Sequence, residues 1–282
     1  MQHTQRMDMV VIGAMKAATS TICAYLEDHP DIYMVPGAEP NYFSHDDNYV
    51  RGEDWYNAHL ADRRDEIQCG EGSNDYAARD MYPDSAARMA AYNPDMKIVY
   101  MVRHPLDRII SAWIQNRANR GDMIPPTLDL AVQEMRARFV GQSLYWQNIE
   151  PYRAHFGDDQ IFVGFMEDLK HKPVAFFESL CRFLEISPKL QAERAQVNKS
   201  AGKRIPTRRF TQVNQMPLVR NLKTVLPKGV KALVKDRLLS QSVATKPAFS
   251  AAVHAELVTE LRADSAAFLA HYGKPADFWV FD

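Results

Sequence analysis

Short apolar runs alternate along the chain with longer stretches whose apolar residues fall at three- and four-residue spacing. Residues 9–12, Ile32–Met34, Lys97–Val102 and residues 160–165 are runs of strand length, and a shorter one opens at Gln68. Between them the spacing turns helical: Ile22, Tyr25 and Leu26; the stretch after Pro105; residues 128–139; a segment that Ser143 is placed to cap; and residues 173–184, with Phe176, Phe177, Leu180 and Phe183 on one face. A last helix, Ala251–His271, ends at Gly273 with Pro275 beyond, both C-terminal signals. Strands alternating with helices predict an α/β fold in three layers, a central and mostly parallel sheet flanked by helices, with a C-terminal helical extension.

Two junctions of strand and helix carry candidate chemistry. The first strand runs into Gly13-Ala-Met-Lys-Ala-Ala-Thr-Ser-Thr21 and then the first helix. A helix N-terminus presents unpaired N–H groups and about half a positive charge, so Lys16, Thr19, Ser20 and Thr21 are placed to hold an anion. The nucleotide-triphosphate loop G-x-x-x-x-G-K-[ST] sets lysine directly before the hydroxyl residue, whereas Lys16 comes three residues before Thr19. The second junction is Arg103-His-Pro-Leu-Asp-Arg-Ile-Ile-Ser-Ala-Trp113, directly after the 97–102 strand, with Pro105 suited to a helical first turn. Arg103 then sits at a strand's C-terminal end with Ser111 about two turns along the helix, and both can face one crevice. His104 reads as a helix-start residue.

These two stretches, in this order, resemble the sulfotransferase family. The first is similar to its 5′-phosphosulfate loop, G-x-x-K-x-G-T-[ST], with Ala18 where glycine is usual; alanine there is strained if the position needs positive φ. The second resembles its 3′-phosphate motif, R-x-P-x-x-R-x-x-S-x-W. The resemblance implies a P-loop-like fold and the donor 3′-phosphoadenosine 5′-phosphosulfate (PAPS), leaving adenosine 3′,5′-bisphosphate as product. Lys16, Ala17, Ala18, Thr19, Ser20 and Thr21 would hold the 5′ end, Lys16 also acting in catalysis, and Arg103 and Ser111 the 3′-phosphate.

Further segments resemble the carbohydrate, heparan-type branch. Gly37-Ala-Glu-Pro-Asn-Tyr-Phe43, an extended loop after a strand, is similar to K/S-E-x-x-F-F, which implies Glu39 as catalytic base. Trp55 and Tyr56 match a G-x-x-W-Y segment and read as packing. Residues 68–76 resemble E-K-[ST]-x-x-Y, which puts Glu71 near the acceptor as a second carboxylate, a structural role remaining equally open. Gly72 replaces the lysine of that pattern, which weakens a heparan-like acceptor. Ser143 and Tyr145 resemble an S-x-Y region lining the acceptor cleft, though a cap and a core ring also explain them. Residues 197–206 resemble a loop closing over the donor, which would bring Gly202, Lys203 and Arg204 to the 3′-phosphate and adenine.

At 282 residues the chain reads as one domain, 1–282, containing a basic helical insertion or lid at 205–250. Net charge is −1, yet residues 199–237 carry eleven Lys or Arg against the single acid Asp236. A solvated face, a lid, and a surface for an acidic partner or a membrane all fit that stretch, in which Leu222, Val225 and Leu226 alternate with bases. A nucleic-acid partner is not expected. No apolar run is long enough to cross a bilayer, and the first residues lack a signal-peptide core. Cys23, Cys69 and Cys181 are odd in number and read as buried free thiols of a reducing, cytoplasmic protein. No His/Cys cluster has metal-ligand spacing, so no metal is expected. The expected function is sulfonate transfer to a hydroxyl or amine of a carbohydrate or similar acceptor, with Glu39 as base. A phosphotransferase with a degenerate loop and a non-catalytic nucleotide-binding protein remain as alternatives.

Overall fold

The computed structural model describes residues 6–37, 39–188, 204–205, 241–242 and 247–281. Gly202, Lys203, the 218–239 segment and most of the 199–237 basic stretch and the 205–250 insertion lie outside the described residues.

Five parallel strands form the central sheet: β1 (Met9–Gly13), β2 (Ile32–Met34), β3 (Gln68–Gly72), β4 (Lys97–Val102) and β5 (Ile161–Phe165), in the order β2-β3-β1-β4-β5. Every residue of β1 is buried, as is every residue of β4 except Lys97, because helices cover both faces. That double burial is why both strands read as continuous apolar runs rather than alternating ones. The principal helices are α1 (Thr19–Glu27), α2 (Ser85–Tyr92), α3 (Pro105–Arg120), α4 (Leu128–Glu134), α5 (Tyr145–Arg153), α6 (Pro173–Phe183) and α7 (Ala251–His271). Helix α7 joins two parts of the core: Leu257 and Leu261 pack with Ile109 and Trp113, while Phe268 and Leu269 pack beneath the sheet with Trp279. Two short antiparallel strands, β6 (Arg204–Ile205) and β7 (Gln241–Ser242), pair with each other, and β6 lies beside α3.

Two local expectations change. The helix expected over 128–139 breaks at Met135 (φ −125°, ψ 46°), leaving α4 and a separate turn, Arg136–Phe139. Ser143 does not cap α5; it lies in a 3-10 turn, and its hydroxyl accepts from Nε of Arg108. Arg108 is fully buried, and each N–H it brings inside needs an acceptor. Ser143, the Gln142 side chain and the Phe139 carbonyl supply them. The cap of α5 comes instead from α7: the Asp264 carboxylate accepts the N–H groups of Trp146 and Gln147, both at 3.1 Å.

Candidate active site

In an open parallel sheet, ligands bind beyond the strands' C-terminal ends where successive connections leave in opposite directions. Here that point lies between β1, whose chain continues to β2 on one side, and β4, whose chain continues to β5 on the other. The 13–21 loop leaves β1 and the Arg103 segment leaves β4, so the two motifs emerge side by side. Ala14 N–H donates to the Met101 carbonyl at 2.7 Å, and the Arg103 guanidinium donates to the Lys16 carbonyl at 3.3 Å. Arg103 also pairs with Asp107 at 3.4 Å. Lys16 Nζ reaches Gln115 Oε1 of α3 at 3.5 Å. Ser111 lies one turn before Gln115 on the same helical face, and so faces the loop.

The loop is tight. Gly13 has φ +130°, and a Cβ there would stand 3.0 Å from the Asn74 carbonyl oxygen and 3.2 Å from the Ala77 Cβ. Lys16 (φ 77°) and Ala18 (φ 71°) hold left-handed conformations, so the missing glycine at 18 does leave a strained alanine, at a typical cost of about 1–3 kcal/mol. Ala18 supplies no capping side chain to α1, which leaves first-turn N–H groups of the helix available to a ligand in the loop.

Glu39 stands across from this helix start, tied to it by a residue that the sequence motifs did not single out. Asn74 donates its amide to Glu39 Oε1 and accepts the Thr19 hydroxyl at 3.0 Å, so the 13–21 loop and the carboxylate are linked through one side chain. Nothing local marks Asn74, since its partners lie 55 and 35 residues away. Glu39 is exposed at the mouth of a cleft of about 290 Å³, lined also by Thr19, Ser20, Cys23 and Gly72. The surrounding walls strip enough water to raise its carboxyl above the usual range, against the lowering effect of the Asn74 bond.

The residues expected to line the acceptor cleft are elsewhere. Glu71 is fully buried and bonded to the Tyr56 and Ser73 hydroxyls at 3.1 and 2.8 Å, and to Tyr76. Ser73 and Tyr76 in turn accept the backbone N–H groups of Asn41 and Tyr42, so Glu71 anchors from within the core the loop that carries Glu39. Ser143 and Tyr145 are also fully buried; the Tyr145 hydroxyl donates to the Arg103 carbonyl at 2.8 Å and so holds that segment from behind. For all three, burial replaces cleft lining with support of the cleft's walls. His104 starts α3, its ring bonded to the Val280 carbonyl at 2.8 Å, in keeping with a helix-start role. Of the three free cysteines, Cys69 and Cys181 are buried and Cys23 is half-buried in the cleft wall.

Burial pushes the Glu71 carboxyl from 4.5 up to about 7. The folded state then holds a proton that the unfolded chain has released. The resulting stabilisation is complete below pH 4.5, falls as pH rises to about 7, and is flat above that. Glu71→Gln should therefore flatten the decline of the urea midpoint across this window, whose full span is worth about 3 kcal/mol at most.

The chain matches the family described as "Sulfotransferase domain" over residues 6–230. It belongs to the sulfotransferase family. Among curated members it is 27% identical over 201 residues to the mouse (Mus musculus) heparan sulfate glucosamine 3-O-sulfotransferase 3B1, covering 68% of this chain and 50% of that protein. It is 25% identical over 193 residues to the bifunctional heparan sulfate N-deacetylase/N-sulfotransferase 1 of Caenorhabditis elegans, covering 64% and 22%. The chain thus spans about half or less of the length of these relatives. A sulfotransferase from Alicyclobacillus acidocaldarius superposes with a TM-score of 0.66 at 23% identity, over 96% of this chain and 97% of that one. Mouse sulfotransferase SULT7A1 complexed with PAP gives 0.53 at 15% identity, over 95% and 88%. Both share the fold, a P-loop-like α/β sandwich.

The sulfotransferase's own residues fit a nucleotide with two separated phosphate groups. Two groups of donors meet there: the uncapped start of α1 with Lys16, and Arg103 with the Ser111 face of α3, joined by the bond between Arg103 and the Lys16 carbonyl. Arg204 lies in β6 beside α3, while Gly202 and Lys203 fall outside the described residues. Among the described residues no group of three His, Cys, Asp or Glu is arranged to hold a metal ion, and no helix is long and apolar enough to cross a membrane.

Proposed function

We propose that this sulfotransferase moves a sulfonate group from PAPS to a hydroxyl of a carbohydrate or similar small acceptor, with Glu39 as general base. The observation that carries this reading is the Thr19–Asn74–Glu39 chain, which ties a carboxylate to the start of the phosphate loop. PAPS supplies the sulfonate: its sulfur–oxygen bond to phosphate breaks as the acceptor oxygen–sulfur bond forms. Lys16 and the first-turn N–H groups of α1 neutralise the charge that grows on the departing phosphate, in a pocket whose dipoles are already oriented. Glu39 takes the hydroxyl proton, and its raised affinity for protons suits that task. Arg103 and Ser111 hold the 3′-phosphate and fix the register of the nucleotide.

The test is transfer of labelled sulfonate from PAPS to a panel of glycans, lipids and phenols, with ATP and Mg²⁺ as a parallel donor. Labelled product from PAPS alone supports the reading. Phosphoryl transfer from ATP, or nucleotide binding without any turnover, would replace it with one of the alternatives raised by the sequence.

A further inference from the structure

Asn74 stands between the start of α1 and Glu39, at the head of a 3-10 turn (Asn74–Ala77) that follows β3. Position 74 is unspecified in the E-K-[ST]-x-x-Y pattern, so the resemblance gives its side chain no role. Packing fixes its backbone: the carbonyl oxygen lies 3.0 Å from where a Cβ on Gly13 would stand. Chemistry fixes the orientation of its side chain. An ionised carboxylate only accepts, so the Asn74 amide N–H faces Glu39, and the amide oxygen faces the Thr19 hydroxyl, which must then donate. Among the described residues, Asn74 supplies both the side-chain and the backbone N–H that hold the Glu39 carboxylate. The Thr19 hydroxyl has a single proton, and Asn74 already accepts it. Thr19 is the first residue of α1 and lines the same cleft as Asn74 and Glu39.

Resting on the sulfotransferase reading above, we propose that Asn74 is a positioning residue that couples donor occupancy to the base. The donor's phosphate draws the Thr19 hydroxyl off Asn74, whose amide oxygen is then free for the acceptor while its N–H groups keep Glu39 in place. A phosphate oxygen brings no proton, so Thr19 bonds it only by donating. That donation competes with the one to Asn74. Thr19 turns its hydroxyl and keeps its proton, so only hydrogen bonds are exchanged. The amide oxygen left behind faces the cleft beside Glu39, and an acceptor group that has lost its donor is unfavourable until another arrives. A second hydroxyl of the acceptor supplies it while the reacting hydroxyl meets Glu39. The acceptor is therefore held best once the donor is bound.

Calorimetric binding of adenosine 3′,5′-bisphosphate, together with turnover of PAPS on an acceptor drawn from the panel, tests this. Asn74→Ala changes no charge and keeps the backbone N–H to Glu39. It should bind the bisphosphate about 2- to 10-fold more tightly, the worth of one hydrogen bond that no longer has to break. Its kcat should nevertheless fall by about 10- to 100-fold, the cost of a displaced base. Asn74→Asp still accepts from Thr19 but has no side-chain N–H for Glu39, so kcat should fall without any tightening. In a Thr19→Val background, Asn74→Ala should move the affinity by less than about twofold, because there is no hydroxyl to release. A residue that only supports the fold would weaken binding and turnover together. Looser or unchanged bisphosphate binding by Asn74→Ala, a tightening that persists with Thr19→Val, or an unchanged kcat would overturn the proposal. The binding arm needs no acceptor, so the underlying reading is judged separately, by whether PAPS sulfates any member of the panel.

Discussion

Replacing Glu39 by Gln lowers kcat by about 10²–10⁴-fold, the ordinary worth of a positioned general base, and leaves affinity for adenosine 3′,5′-bisphosphate nearly as it was. The substitution isolates proton transfer because the amide keeps the Oε1 that Asn74 donates to, so the link to Thr19 survives. The wild-type rate should also climb with pH along an acid limb set by Glu39. Desolvation raises this carboxyl, so the limb lies above the ordinary 4.5, and the rate is lost as pH falls through it. Rapid-quench turnover and calorimetry on the same preparation measure both quantities. A variant keeping most of its kcat would take the base role from Glu39, and the buried Glu71 would be no replacement, since an acceptor in the cleft does not reach it.

Arg103→Ala weakens binding of adenosine 3′,5′-bisphosphate by about 10- to 150-fold, the value of a charge-assisted contact of about 1.5–3 kcal/mol. Part of that loss could arise from the loop, because Arg103 also donates to the Lys16 carbonyl. AMP, which lacks the 3′-phosphate, separates the two contributions. If Arg103 holds that phosphate, the variant binds AMP about as well as the wild type does, and the preference for the bisphosphate disappears. An equal loss for both ligands would make Arg103 a support of the 5′ loop alone.

The parts of the site that were legible in the sequence are the local ones. The apolar run before Gly13, the hydroxylated loop and the helical spacing after it are set by neighbours in the chain, and β1, the loop and α1 form where those signals put them. The same holds for β4 and α3, where a buried strand meets Pro105 at a helix start. Residues whose roles depend on distant partners were not legible. Asn74 is an ordinary polar residue until Thr19 and Glu39 converge on it. Glu71 lies between Gly70 and Gly72, so no apolar alternation reveals which face of β3 it occupies, and it turns inward. Ser143 looked like a helix cap because the buried Arg108 that claims its hydroxyl stands 35 positions earlier in the chain.

The central claim is that the turn after β1 and the segment after β4 grip opposite ends of one nucleotide. A crystal structure of the protein with adenosine 3′,5′-bisphosphate tests it most directly. The account predicts the 5′-phosphate on Lys16 and the N–H groups at the start of α1, and the 3′-phosphate on Arg103 and Ser111. A nucleotide bound with its 3′-phosphate away from Arg103, or outside the crevice between β1 and β4, would contradict it.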